Sequence, residues 1–165
     1  MSRVAVAVIR GAQEEPILGL IEFEELPGGG TRIRGQIQGA TPGNHGLHIH
    51  HRAKLGCALH SLGDTTRGCE SMGPHFNPFG KVHGGRASAD RHLGDLGNIA
   101  FDEFGIARFE FIDPFIQLSG LYSVIGRGIV LHEKQDDLGW GNDEESLKTG
   151  NSGKRIACGI IGLKM

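Results

Sequence analysis

The chain has 165 residues, enough for one domain that buries roughly two-thirds of its unfolded surface. Hydrophobic residues are 38% and charged residues 22%, which excludes wholesale disorder. A net charge of −2 argues against a nucleic-acid binder, and the absence of a long apolar run argues against a membrane protein.

In chain order, Arg3 to Ile9 is rich in β-branched residues and bounded by Gly11, which predicts a strand. The start of the chain has no signal-peptide pattern, so a cytoplasmic address is expected. A second strand is predicted from Ile17 to Phe23, closed by Pro27-Gly28-Gly29-Gly30. Thr31 to Gln38 alternates cleanly, with Thr31, Ile33, Gly35 and Ile37 opposite Arg32, Arg34, Gln36 and Gln38. That is a strand with one wet face. Further strands are predicted at Gly46 to His50, Ile106 to Ile112, Ser123 to Leu131 and Ile156 to Leu163. No stretch holds an apolar stripe at helical spacing. With 28 glycines, short strands and many turns, the chain reads as an all-β sandwich or flattened barrel. Two stretches, 51–95 and 133–155, have no sustained period, and loops of that length inside a compact domain point to function.

Both loops adjoin histidines, of which the chain has nine. His48 and His50 lie two apart in a predicted strand, so both rings project from one face. His75, His83, His92 and Asp95 follow in the long loop and form a donor set of the kind zinc takes, and His132 ends a late strand. The three cysteines, Cys57, Cys69 and Cys158, do not make a disulfide scaffold and allow at most one bridge.

The motifs His45-Gly46-Leu47-His48-Ile49-His50, Gly73-Pro74-His75-Phe76-Asn77-Pro78, His83-Gly84-Gly85, Arg91-His92-Leu93-Gly94-Asp95-Leu96-Gly97-Asn98, Val130-Leu131-His132-Glu133-Lys134 and Arg155-Ile156-Ala157-Cys158-Gly159 resemble those of the copper/zinc superoxide dismutases, in order over nearly the whole chain. The resemblance implies an all-β Greek-key sandwich, a flattened eight-stranded barrel with two long functional loops, as a single domain over 1–165. The family is itself a standing example of sandwich architecture, electrostatic steering and near-diffusional turnover, so these come with the resemblance.

It further implies copper at His48, His50, His75 and His132, and zinc at His75, His83, His92 and Asp95, with His75 as a bridging imidazolate. Superoxide would be disproportionated to O₂ and H₂O₂ as copper alternates between Cu(II) and Cu(I). Arg155 would dock the anion, Glu144, Glu145 and Lys148 would form a charged channel rim, and Asp136 would link His48 to His83. Cys69 and Cys158 would form the disulfide. A cytoplasmic homodimer, served by a copper chaperone, completes the expectation. The alternative is a catalytically silent dismutase-like copper-chaperone or docking domain. His45 is expected to make a structural hydrogen bond rather than bind metal.

The spacing between His50 and His75 is about ten residues longer than the family's, a length a surface loop tolerates. The extra chain brings His51, Cys57 and His60. Cys57, His60 and Cys69 are a possible Cu(I) site, with a plain loop extension as the other reading. Trp140 in the charged loop is either a partner contact or a surface indole.

Overall fold

The structure is a computed structural model that describes residues 2–51 and 62–165; Cys57 and His60, part of the candidate Cu(I) site, lie outside the described residues. Its strands are β1 (Val4–Gly11), β2 (Leu18–Glu25), β3 (Thr31–Gln38), β4 (Gly43–His50), β5 (Thr66–Cys69), β6 (Asp95–Phe101), β7 (Ile106–Asp113), β8 (Gly128–His132), β9 (Arg155–Ile160) and β10 (Gly162–Leu163). A single helical turn, α1 (Ser146–Thr149), is the only α-helix among the described residues, and no helix there is long and apolar enough to cross a membrane.

All ladders between named strands are antiparallel, in the order β6-β4-β8-β9-β1-β2-β3-β7. β1, β2 and β3 follow one another as neighbours. β4 then crosses to the far side, β7 returns to β3, and β9 closes from β8 onto β1. β6 and β7 lie side by side at the seam, where Asp102 N–H donates to Ile106 O at 3.0 Å. The result is the nearly closed, flattened Greek-key barrel expected from the sequence.

Alternation accounts for the core. Ile21, Phe23, Ile33, Ile37 and Ala107 point inward and are fully buried, while Arg34, Gln36 and Arg108 on the same strands face outward. β4 and β8 depart from this pattern: both of their faces are buried. Leu47, Ile49, Ile129 and Leu131 fill the barrel, and His48, His50, Val130 and His132 face outward beneath the two long loops. A strand buried on both sides needs cover on its outer face, and here loops 70–94 and 133–154 supply it.

The structure differs from the expected strands in four places. Neither β5 nor β6 was anticipated. Residues 123–127 form turns rather than the first half of a strand, because Gly126 takes φ 79° and β8 begins only at Gly128. The last predicted strand is split into β9 and β10 at Ile161, whose N–H donates to Arg127 O at 3.0 Å.

Candidate metal centre

Two bulges shape the site. The β4–β6 register slips between Gly46 and His48, and the β8–β9 register slips between Leu131 and His132, setting His132 opposite Arg155. Bulges re-aim side chains, and these two lie at the level of the histidines.

Four rings converge on the outer face of β4 and β8. The ligand atoms of His48, His50, His75 and His132 all lie within 4.8 Å of one another, with His50 Nε2 and His132 Nε2 3.3 Å apart. A second group adjoins the first: Asp95 Oδ1 lies 2.9 Å from His75 Nδ1, 3.0 Å from His83 Nδ1 and 3.2 Å from His92 Nδ1. His92 Nδ1 is also 3.3 Å from His75 Nδ1. His75 therefore turns Nδ1 toward Asp95 and leaves Nε2 for the other group. The strict 4.8 Å grouping around Asp95 contains His48, His75 and His83; His92 joins through its distances to His75 and Asp95.

Hydrogen bonds fix which nitrogen each ring offers. Asp136, fully buried, accepts from His48 Nε2 and from His83 Nε2, both at 2.8 Å. That leaves Nδ1 of each ring facing inward. His50 Nδ1 donates to Gly73 O at 2.8 Å and His132 Nδ1 to Gly153 O at 3.1 Å, leaving Nε2 on both. Such outer partners set ring orientation in metal sites.

The donor set fits metal ions. Among the described residues, the buried side-chain nitrogens without a hydrogen-bond partner are His48 Nδ1, His51 Nδ1, His75 Nε2 and His83 Nδ1. Three of these four face the two groups. An unpartnered buried nitrogen is unfavourable unless something accepts its lone pair. His83 Nδ1 is close to Asp95 yet not aligned as a donor, as befits two ligands aimed at one point.

Electrostatics agree. Burial, reinforced by His75 and His132, pushes His48 and His50 well below the usual imidazole range. Burial takes His132 down to about 3 and also lowers His75. Rings held neutral in this way can offer a lone pair to a metal ion. His83 goes the other way: burial opposes protonation, but the hydrogen bond to Asp136 and the adjacent Asp95 carboxylate raise it to about 9. Asp95 is held far below the carboxylate range, because the close rings of His75, His83 and His92 outweigh burial.

Outside the rings lies a cleft of about 970 Å³, lined by His50, His75, His132, Arg155, Lys148 and Glu144 among others. Half-buried Arg155 donates from Nη1 to Cys69 O (3.0 Å) and Glu70 O (3.1 Å), and from Nη2 to Gly73 O (2.6 Å). Glu144, Glu145 and Lys148 stand at the rim, with Lys148 Nζ 2.6 Å from Glu144 Oε1. Lys81 and Lys134 add positive charge.

The Cys69–Cys158 disulfide is formed and ties the start of the first loop to β9. His45 lies outside both groups: Nδ1 is 2.7 Å from His132 O and Nε2 is 2.9 Å from Thr41 O, a structural role. Trp140 is 80% exposed.

Three contributors were not anticipated. Asn98 grips Asp136 at both ends, accepting from its N–H (2.7 Å) and donating to its C=O (2.8 Å). The Gly73 carbonyl is shared by His50 and Arg155. Gly150, at φ 69°, leaves room where a Cβ would overlap Asp136 and His83. Asn98 stands in a motif already noted, so position was its available signal. A backbone carbonyl has none.

Comparison with known proteins gives a consistent picture. The family model described as copper/zinc superoxide dismutase matches residues 17–161. "Superoxide dismutase [Cu-Zn] A" of Xenopus laevis is 52% identical over 158 residues, covering 96% of each chain. "Superoxide dismutase [Cu-Zn]" of Onchocerca volvulus is 48% identical over 167 residues, covering 99% of this chain and 98% of the relative.

Proposed function

The chain belongs to the copper/zinc superoxide dismutase family, and on that premise we propose that it disproportionates superoxide, with copper held by His48, His50, His75 and His132 and zinc by His75, His83, His92 and Asp95. The observation that carries this reading is the shared ring of His75, with Nδ1 among the zinc-side ligands and Nε2 buried without a partner.

The chemistry a bound copper supplies is one-electron exchange with superoxide, accepted in one half of the cycle and returned in the other, beside the fixed charge of zinc. His75 would be the ring common to both ligand sets, and its Nε2 would hold a proton and pass it to the reduced substrate. A second proton comes from water in the cleft, so two superoxide anions and two protons give O₂ and H₂O₂. Arg155 offers a fixed guanidinium fork to the small anion at the cleft wall. Lys148, with Glu144 and Glu145, shapes the field at the mouth; a chain of net charge −2 attracts an anion only through a local positive field. Asp136 acts through its two rings and not on substrate. With all four copper-side rings and Arg155 in place, nothing favours a silent docking domain.

The same reading takes 1–165 as one domain and a second copy as partner. Val8 and Leu20 are paired across the outer face of β1 and β2, each about half exposed, with Leu18 beside them. The β1–β9 register sets Ile160 level with Val8, and Leu62 lies over Gly126 nearby. This is a contiguous apolar face suited to an isologous dimer. A cytoplasmic address is compatible with the disulfide because both cysteines are buried. Delivery of copper by a chaperone suits ligands such as His50, His75 and His132 that line the cleft.

The test is metal analysis and a superoxide-consumption assay on one purified sample. Expected are about one copper and one zinc per chain with rapid turnover. Metal-replete protein without activity would overturn the proposal.

A further inference from the structure

We infer that Met72, seated in the gap left by Gly128, is a positioning residue for Arg155 and His50; the inference rests on the function proposed above. Met72 ends the 3₁₀ turn Glu70–Met72 and is fully buried. It belongs to a small cluster with Cys69, Val130 and Cys158, separate from the barrel core and on the outer face that carries the histidines. Gly128 is the cross-strand partner of His50, so it shares that face. A Cβ at Gly128 would overlap the Met72 sulfur, with Cε and Cγ next at 3.2 and 3.3 Å. The missing side chain is thus the socket for the methionine.

The turn above this socket does unusual work. Carbonyls of Cys69, Glu70 and Gly73 accept three hydrogen bonds from Arg155, and Gly73 O also accepts from His50 Nδ1. The turn has further anchors, the disulfide at Cys69 and the Ser71 hydroxyl donating to Asp64 O at 2.7 Å. Neither anchor lies at the residue next to Gly73. Met72 does, and its side chain packs that end of the turn onto β8, while on the other side of Gly73 the Pro74 carbonyl accepts from His51 N–H at 3.0 Å. A fully buried side chain cannot shift without moving its backbone or its neighbours. Gly128 and Met72 therefore set where Gly73 O stands, and through it the tilt of a copper-side ring and the aim of the guanidinium.

Two readouts separate this from general packing. In metal-free protein, protection of the His50 Nδ1–H from exchange is read by NMR. In metal-loaded protein, azide affinity reports the anion-facing geometry. Gly128→Ala is expected to lose the protection and weaken azide binding roughly tenfold, the size of losing part of a charge-assisted hydrogen bond. Met72→Ala should do the same and Met72→Leu should not, which keeps the test valid if Gly128→Ala folds poorly. The double variant Gly128→Ala/Met72→Ala refills the socket and should recover azide affinity to within about twofold. Ile33→Val, in the barrel core, lowers stability and should leave both readouts alone. If Gly128→Ala and Met72→Ala lower only the melting temperature, or the double variant fails to recover, the inference is wrong. Wild-type protein that binds no copper would refute the proposed function instead, and the metal-free NMR readout would still decide this one.

Discussion

Removing the Cys69–Cys158 bridge gives the most quantitative expectation. The two cysteines are 89 residues apart, so the bridge closes more than half of the chain into one loop. With about 89 residues in the loop, chain entropy gives a loss near 15 cal/mol/K from the unfolded ensemble, or about 4.6 kcal/mol at 25 °C. For a domain of this size that is a sizeable share of total stability. The perturbation is the double variant Cys69→Ser/Cys158→Ser, studied as metal-free protein so that ligand binding does not enter. Urea unfolding at fixed protein concentration is the assay. With a slope of about 2 kcal/mol/M, the midpoint should fall by roughly 2 M. A loss below about 1 kcal/mol at unchanged slope would refute the loop-closure reasoning. A normal loss, with azide affinity intact in the same variant once metal-loaded, would show that the bridge does not hold the carbonyls around Arg155.

Arg155→Ala is expected to lower kcat/KM roughly tenfold and flatten its salt dependence, with Arg155→Lys between; stopped-flow decay of superoxide at several ionic strengths measures both. Asp136→Ala should weaken binding of both metals by about 10- to 100-fold, because one ring in each ligand set loses its acceptor; competition with chelators reads each metal separately, and an effect on neither would count against the shared carboxylate. Leu20→Asp should convert a dimer to monomers in sedimentation velocity, with metal content unchanged.

Much of the barrel was readable because its strands have one wet face. In β3 the inward Thr31, Ile33 and Ile37 alternate with exposed Arg34, Gln36 and Gln38, and β7 repeats the device with Ala107 against Arg108. β6 escaped because Gly97 at φ 72° sits in its middle and most of the strand is buried on both faces, so no alternation remains. β5 is four residues long and mostly exposed, with Gly68 at φ 64°, too little for any period. The metal-side residues were legible as residue types at meaningful spacings, since His48 and His50 must share a face. Their outer partners were only partly so. Asp136 is a carboxylate that the family resemblance pointed to, whereas Gly73 acts through its carbonyl, which every residue possesses. Which ring nitrogen each histidine offers could not be read from the chain, because it depends on acceptors 21 to 88 residues away.

The single carboxylate that spans His48 and His83 has one more implication. On the proposed assignment, filling either pocket would stiffen a ring of the other, so the two ions would not be independent guests. Whatever factor one occupant adds to its neighbour's affinity, the neighbour must return in equal measure. Stepwise titrations run in opposite orders should therefore differ in their intermediate plateaus yet close on the same total free energy.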